Sequence, residues 1–139
     1  MRNIIKAEMT DLDKIITLDS EIVGHKKRRD YFKNAIELER CIIAKEKDTI
    51  VAFLIYDTNF FQCAFISLII VSPTRRRKGI AGQLMDYMRR ISPTMKIFSS
   101  TNRSNISMQK VFETNGFVQS GFVENLDEGD PEIIYFRLK

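Results

Sequence analysis

The sequence is poor in the residues that build metal sites and disulfides: its 139 residues include one histidine, two cysteines and no tryptophan. His25 alone cannot form a histidine-based metal site, and we expect no metal. Cys41 and Cys63 lie in apolar segments without a C-x-x-C spacing, which predicts two buried, reduced thiols. Reduced thiols are typical of a cytoplasmic protein.

Long hydrophobic runs are also missing. The segment AFISLIIV is much shorter than the roughly 20 apolar residues that a membrane-spanning helix needs. The stretch MRNIIKAEMTDLDK is charged and does not resemble a signal peptide. Hydrophobic residues make up 44% of the chain and charged residues 29%, and no linker or internal repeat interrupts it. We therefore expect one globular domain over residues 1–139, without a membrane partner.

A strong charge of one sign is the third absence. The formal net charge is +4, an excess too small to argue for nucleic acid. Basic residues cluster at Lys26–Arg29 and Arg75–Lys78, but no aromatic-rich segment for base stacking adjoins either cluster. We expect no nucleic-acid partner, which leaves two explanations for the second cluster: a solvated turn or a phosphate site.

Hydrophobic periodicity predicts seven strands and four helices in the order β-α-α-β-β-β-α-β-α-β-β. The segment FQCAFISLIIV is almost continuously apolar and predicts a central strand that is buried on both faces. Gly79–Ile91 carries one apolar stripe and predicts a helix, and another helix is expected between a Ser104 cap and a stop at Asn115-Gly116. The pattern favours an α/β (α+β) fold, a mixed sheet with helices on both faces.

The basic turn before the third helix has the features of an anion site. The first N–H groups of a helix lack intrahelical partners and, with the helix dipole, attract anions. Gly79 has no Cβ, so a ligand can approach the backbone closely. Consecutive amides from Arg77 to Ala81 would form a nest for a pyrophosphate, with Arg76 or Lys78 adding charge at its rim. Taken alone, the segment fits a phosphate cradle and a solvated turn about equally well.

Two motifs together resemble the GNAT superfamily of N-acetyltransferases. The segment VSPTRRRKGIAGQL matches the acetyl-CoA-binding pattern R/Q-x-x-G-x-G/A at residues 76–81. The second signature, N-x-x-A-x-x-L/V-Y/F-E-x-x-G-F, has Met108 in place of its alanine and is otherwise matched by Asn105, Val111, Phe112, Glu113, Gly116 and Phe117. The order of strands and helices over nearly the whole chain also agrees with this GNAT-like acyl-CoA N-acyltransferase fold. In that fold the mixed, mostly antiparallel sheet is splayed between strands 4 and 5.

The resemblance implies acetyl-CoA as co-substrate and direct transfer of its acetyl group to a primary amine in a ternary complex. The implied cofactor-binding residues are Ile69, Val71, Arg76, Arg77, Lys78, Gly79, Ile80, Ala81, Gly82, Asn105 and Phe112. It also implies that a backbone N–H near Ile69 or Ile70, with Ile70 as our candidate, contacts the thioester oxygen. Arg75 lies outside the matched motif, and we expect it to be a solvated charge.

The sequence departs from the family at the general acid, because many members have a tyrosine at the position of Phe112. Tyr87 and Tyr135 are substitutes by residue type only, and each is also explained as a packing residue. The general base is equally open: Glu21, His25 and the carboxylates of the late acidic loop are candidates, and a water chain that ends at a carboxylate would serve without a dedicated base.

The acceptor amine is not identified by the sequence. Glu21, Asp127 and Glu128 are candidates for binding it, although the acidic loop that contains the last two is equally explained as a solvated hairpin. The acceptor could be a small molecule or a protein, and an exposed final strand would allow a homodimer. The alternative function is a non-catalytic acyl-CoA sensor or interaction module with the same fold.

Overall fold

The computed structural model describes residues 2–139 and contains seven strands and four helices in the predicted order. The strands are β1 (Arg2–Lys6), β2 (Cys41–Glu46), β3 (Thr49–Phe60), β4 (Cys63–Val71), β5 (Lys96–Asn102), β6 (Val118–Val123) and β7 (Glu132–Leu138). The helices are α1 (Leu12–Val23), α2 (Arg29–Glu37), α3 (Ile80–Ile91) and α4 (Ile106–Thr114), and short 3₁₀ turns occupy Met9–Asp11 and Pro73–Arg75. In the part of the chain that is described, no helix is both long and apolar enough to cross a membrane.

The strands form one mixed sheet in the order β1-β2-β3-β4-β5-β7-β6. Strands β4 and β5 are parallel, with Ala64, Phe65 and Ile66 opposite Ile97, Phe98 and Ser99. Strands β1 and β2, β2 and β3, β5 and β7, and β6 and β7 pair antiparallel. The predicted mixed α/β fold is thus confirmed, whereas the splay between β4 and β5 stays a prediction.

Packing of the Cα trace divides the chain into two units, which we describe separately. The first comprises Met1–Tyr56 and Leu68–Met88, and the second comprises Asp57–Ser67 and Arg89–Lys139. The expectation of a single domain over residues 1–139 stays a prediction.

The first unit buries both faces of its strands. On one face, α1 and α2 pack against β2 and β3, where Phe32 meets Phe53 edge to face with ring centroids 5.4 Å apart. Strand alternation places Ile42 and Leu54 on the other face, and both are fully buried. The buried residues of α3, which are Ile80, Leu84, Met85 and Met88, do not belong to the cluster formed by α1 and α2.

The connection from α1 to α2 is fixed by a buried ion pair. Asp19 is 1% exposed and accepts two hydrogen bonds from the guanidinium of Arg28, from Nε at 3.0 Å and from Nη2. The same guanidinium lies over the ring of Phe32, 5.7 Å from its centroid. Because a buried carboxylate without a partner is costly, this pair constrains the polar segment between the two helices.

The second unit has one face covered by α4 and one that carries aromatic residues. Phe112 of α4 stacks on Tyr135 of β7 with centroids 4.8 Å apart, and both side chains are buried. On the opposite face, Phe65, Phe98 and Phe136 are cross-strand neighbours in register and are only half-buried. This row gives the unit an apolar surface beside its core.

Three local predictions were wrong in detail. The strand predicted over FQCAFISLIIV is present as β4 but begins at Cys63, because Phe61 and Gln62 have φ of 50° and 64° and turn the chain between β3 and β4. It is also not fully buried on both faces, since Ser67 is exposed and Phe65, Leu68 and Ile69 are half-buried. The cap of α4 is Asn105, whose Oδ1 accepts from the Met108 N–H at 3.0 Å, whereas the predicted Ser104 bonds elsewhere. The final strand β7 lies between β5 and β6, so the exposed edge belongs to β6.

The two cysteines are free thiols in different surroundings. Cys41 is fully buried, and this burial, together with the nearby charge of Asp11, raises the pKa of its thiol to about 12. Cys63 is only half-buried, at the start of β4, with its Sγ 3.6 Å from the carbonyl oxygen of Phe61. The prediction of a buried thiol is confirmed for Cys41 and is wrong for Cys63, whose strand end is partly open to solvent.

Candidate functional site

The segment between β4 and α3 has an unusual backbone. It leaves β4 at Val71, passes through the 3₁₀ turn Pro73–Arg75 and enters α3 at Ile80. Arg77 has φ of 64° and Gly79 has φ of 75°, so two residues separated by one lie in the left-handed region. Such alternation turns successive N–H groups toward a common point, which is how backbone nests bind anions.

The start of α3 adds donors to this nest. The Gln83 N–H bonds to the Gly79 carbonyl oxygen at 3.1 Å and opens the intrahelical ladder, so the amides of Ile80, Ala81 and Gly82 precede it without helical partners. A Cβ built on Gly79 would meet no atom within 4 Å. The space above Gly79 is therefore open to a ligand, and the donors around it suit a phosphate group.

The directions of the backbone N–H and C=O groups at the end of β4 show which of the predicted contact residues face away from β3 and which point toward it. The Ser72 N–H donates to the Val51 carbonyl oxygen of β3 at 2.8 Å, while the Val71 carbonyl oxygen accepts from Arg76 Nε at 3.4 Å. Successive residues of a strand direct their N–H and C=O groups to opposite edges, so Ile69 and Val71 face away from β3. By the same alternation the N–H of Ile70 points toward β3, which makes Ile69 the better oxyanion candidate.

Arg75 is not the solvated charge that we expected. Its Nε donates to Glu46 Oε1 of β2 at 2.8 Å, and Arg2 Nε donates to Oε2 of the same carboxylate at 3.2 Å. These two hydrogen bonds lower the pKa of Glu46, that from Arg75 more strongly. A residue just outside the phosphate motif is thus bound to the sheet, whereas Arg77 and Lys78 are exposed.

Asn105 and Phe112 belong to the second unit. The Oδ1 of Asn105 is used as the helix cap, and its Nδ2 makes no hydrogen bond within residues 2–139, so the amide group keeps a donor for a ligand. Phe112 is 1% exposed and lies between Tyr135 and Phe117. Its ring packs within the core of this unit and carries no proton to donate.

The two tyrosines offered as alternative acids differ in their surroundings. Burial, and to a smaller extent the charge of Glu113, raise the pKa of Tyr135, while the side chain of Gln119 opposes this rise. The hydroxyl makes no hydrogen bond of normal geometry among the described residues. Tyr87 is half-buried on α3. A buried hydroxyl with a raised pKa keeps its proton. The ring of Phe112 stacks on the face of Tyr135, however, which favours a packing role for this tyrosine.

Glu21 lies at a cavity of about 440 Å³ in the first unit. The cavity is lined by Asp13, Lys14, Thr17, Leu18, Glu21, Asp48, Thr49, Ile50, Val51, Ser72, Thr74 and Arg75. Two of its charges are paired, Asp13 with Arg29 at 2.9 Å and Arg75 with Glu46 at 2.8 Å. Glu21 is exposed and forms no ion pair within residues 2–139, so it can attract a cation. His25 is exposed, and its Nδ1 accepts from the Lys27 N–H at 3.2 Å.

The acidic loop before β7 is tied down rather than loosely solvated. Asp127 Oδ2 accepts from Asn102 Nδ2 at 2.8 Å, and the carboxylate of Asp130 accepts from the N–H of Ser104 at 2.9 Å and from its Oγ at 2.6 Å. Glu128 is exposed and has no partner among the described residues. The sequence did not predict these bonds, because they join residues more than 20 positions apart.

Comparison with known proteins agrees with this arrangement. Residues 8–117 match the model of the Acetyltransferase (GNAT) family. No curated protein sequence matches the chain significantly. An acetyltransferase of the GNAT family from Bacillus cereus is 59% identical, with 100% of this chain and 98% of that chain covered and a TM-score of 0.97.

Two more distant structures share the fold. The ribosomal-protein-S18-alanine N-acetyltransferase of Escherichia coli is 19% identical, with a TM-score of 0.82 over 99% of this chain and 94% of its own. The protein yncA of Salmonella typhimurium, solved with its cofactor acetyl-CoA, is 12% identical, with a TM-score of 0.80 over 99% and 93%. With the family model spanning both motifs, the chain belongs to the GNAT family of acetyltransferases.

Proposed function

We propose that this protein transfers the acetyl group of acetyl-CoA to a primary amine by direct attack in a ternary complex. The observation that carries the proposal is the nest formed by left-handed Arg77 and Gly79 ahead of α3. A solvated basic turn has no need of this paired backbone geometry, which costs free energy at Arg77. The B. cereus relative and the S. typhimurium structure with acetyl-CoA support the same conclusion.

The residues present fit the cofactor. The amides from Arg77 to Gly82 would bind the pyrophosphate, with Arg76 and Lys78 adding positive charge. The outward-facing backbone of Ile69 and Val71 would bind the pantetheine arm as an added strand, after Arg76 releases the Val71 carbonyl oxygen. Acetyl-CoA supplies an activated acetyl thioester. We also assign the amide donor of Asn105 to the cofactor, whereas the buried ring of Phe112 supports the core of the second unit and would not touch the cofactor.

Catalysis would rest mainly on positioning and on one backbone donor. The Ile69 N–H would polarise the thioester carbonyl as negative charge develops on its oxygen. Glu21, directly or through water, would accept the proton of the acceptor amine. The leaving thiol has an ordinary pKa of roughly 8.5, so it can depart without a dedicated acid. This accounts for Phe112 at a position that many family members fill with tyrosine.

The acceptor is proposed to be a cationic amine, carried by a small molecule or a protein. The exposed carboxylates of Glu21 and Glu128 would attract it, whereas Asp127 is engaged with Asn102 and contributes less. The E. coli neighbour acts on the alanine of a ribosomal protein, so protein amino termini belong in any acceptor screen. The two free cysteines agree with the predicted cytoplasmic location.

Two measurements test the proposal in sequence. Calorimetric titration with acetyl-CoA should show saturable binding at one site per chain, and no binding would exclude the cofactor assignment. Release of the CoA thiol, followed with a disulfide dye across amines, aminoglycosides, polyamines and peptides, should then depend on the acceptor. A nucleotide that carries the pyrophosphate but no thioester should compete with acetyl-CoA for binding, because the proposed site holds the pyrophosphate.

The second candidate is a non-catalytic acyl-CoA sensor with the same fold. Phe112 favours it, because no hydroxyl stands at the usual position of the acid. Tight acetyl-CoA binding with no acceptor-dependent thiol release would favour the sensor over the enzyme.

A further inference from the structure

Residues 76–82, the segment that we propose binds the pyrophosphate, are held at both ends by contacts that meet at the carboxylate of Glu46. Glu46 closes β2 and receives Arg75 on Oε1 at 2.8 Å and Arg2 on Oε2 at 3.2 Å. Arg75 ends the 3₁₀ turn immediately before the nest. Arg2 reaches past Glu46 and donates from Nη1 to Gln83 Oε1, in the first turn of α3, at 2.7 Å. The chain Arg75–Glu46–Arg2–Gln83 therefore spans residues 76–82 from one flank to the other.

The geometry of this chain is specific. Arg2 and Glu46 are directly opposite each other in the β1–β2 register, so the sheet itself sets their separation. The side chains of Arg2, Glu46 and Arg75 are 20%, 27% and 36% exposed, so the network is partly shielded from solvent. An isolated surface ion pair contributes little, but a network in which each oxygen has its own guanidinium restricts both partners.

We propose that Glu46 is a positioning residue for the nucleotide-binding segment, acting through Arg75 and Arg2 without touching the ligand. The inference rests on the proposed function, because it assumes that residues 76–82 bind the CoA pyrophosphate. Glu46 fixes where the segment leaves the sheet and where α3 begins. The donors of the nest are thereby held in position before a ligand arrives.

Electrostatics and positioning predict opposite results for Glu46→Gln. The substitution removes a negative charge near an anion site, so charge alone would strengthen the binding of acetyl-CoA. Loss of the two charged hydrogen bonds would release Arg75 and Arg2, and the binding of acetyl-CoA would then become weaker. A weaker Kd therefore identifies positioning as the dominant effect.

The matched control is Glu39→Gln. Glu39 pairs with Lys6 at 3.9 Å, is 76% exposed, and its substitution removes the same charge without touching residues 76–82 or their anchors. Glu46→Asp, which keeps the charge with a shorter side chain, should restore part of the affinity. Thermal melts of all three variants check that each remains folded.

The expected result is a Kd and KM for acetyl-CoA raised about threefold to tenfold in Glu46→Gln, with kcat unchanged. The KM for S-acetylpantetheine, which lacks the pyrophosphate, should not change. Hydrogen exchange of the free variant should accelerate at residues 76–82, and Glu39→Gln should match the wild type throughout. Unchanged or tighter acetyl-CoA binding by Glu46→Gln would overturn the inference alone, whereas a wild type that binds no acetyl-CoA would overturn the proposed function and this inference together.

Discussion

Replacing Gly79 by alanine separates the two roles that we assign to this glycine. Its φ of 75° lies in the left-handed region, where alanine costs about 1 kcal/mol of stability. The added methyl group meets no protein atom within 4 Å, so no clash enlarges this cost. The methyl group would instead occupy the space through which a phosphate approaches the nest.

The effect on binding should be larger than the effect on stability. Displacing the pyrophosphate from even one charge-assisted hydrogen bond costs about 1.5–3 kcal/mol, or roughly a 10- to 150-fold increase in Kd. Calorimetric titration with acetyl-CoA measures this increase, and a thermal melt measures the loss of stability.

Gly24→Ala provides the control. Gly24 ends α1 with φ of 81°, and its Cβ would likewise meet nothing within 4 Å. Both variants should lose about the same stability, and only Gly79→Ala should lose affinity. Equal acetyl-CoA affinities for Gly79→Ala and the wild type would show that the phosphate does not bind above this glycine.

Four further variants test other parts of the molecule. Phe112→Tyr should leave the Kd for acetyl-CoA and kcat in a thiol-release assay unchanged, because the ring lies in the core and the thiol leaves without a dedicated acid; a rise in kcat would show that protonation of the leaving thiolate limits turnover. Asn105→Ala should lower the free energy of unfolding by about 1 kcal/mol, because it removes the cap of α4, and Ser104→Ala should cost less. The hydrogen bonds of Ser104 hold the pKa of Asp130 below its usual 3.8. The stability that they contribute is therefore present above about pH 4 and is lost as the pH falls through the folded-state pKa, so Asp130→Asn should flatten the dependence of the urea midpoint on pH below 4.

Elements with a strong local pattern could be predicted from the sequence. The apolar stripe of Ile80–Ile91 depends on residues three and four apart, and it identified α3 to within one residue. The stop at Asn115 and Gly116 was also correct, since Gly116 has φ of 85°. The mixed sheet and the order of its strands along the chain followed from these elements together with the two motifs, whereas the position of β7 between β5 and β6 did not.

The side-chain network around the site could not be predicted in this way. Glu46 and Arg75 are 29 positions apart, and nothing in either local sequence indicates that they meet. The cap at Asn105 was missed because Ser104 and Asn105 are both good capping residues, and the competing bond to Asp130 decides between them. The direction of the Ile70 amide depends on which edge of β4 pairs with β3, which only the fold provides.

The unequal exposure of the two thiols affects how turnover must be measured. Cys41, buried and with a pKa of about 12, stays protonated and out of reach of a disulfide dye at any assay pH near neutrality. Cys63 is partly accessible, so the protein itself will consume the dye, to at most one equivalent per folded chain. That reaction saturates, whereas CoA release continues for as long as substrate remains. The same asymmetry allows a single probe to be attached to β4 without removing either cysteine.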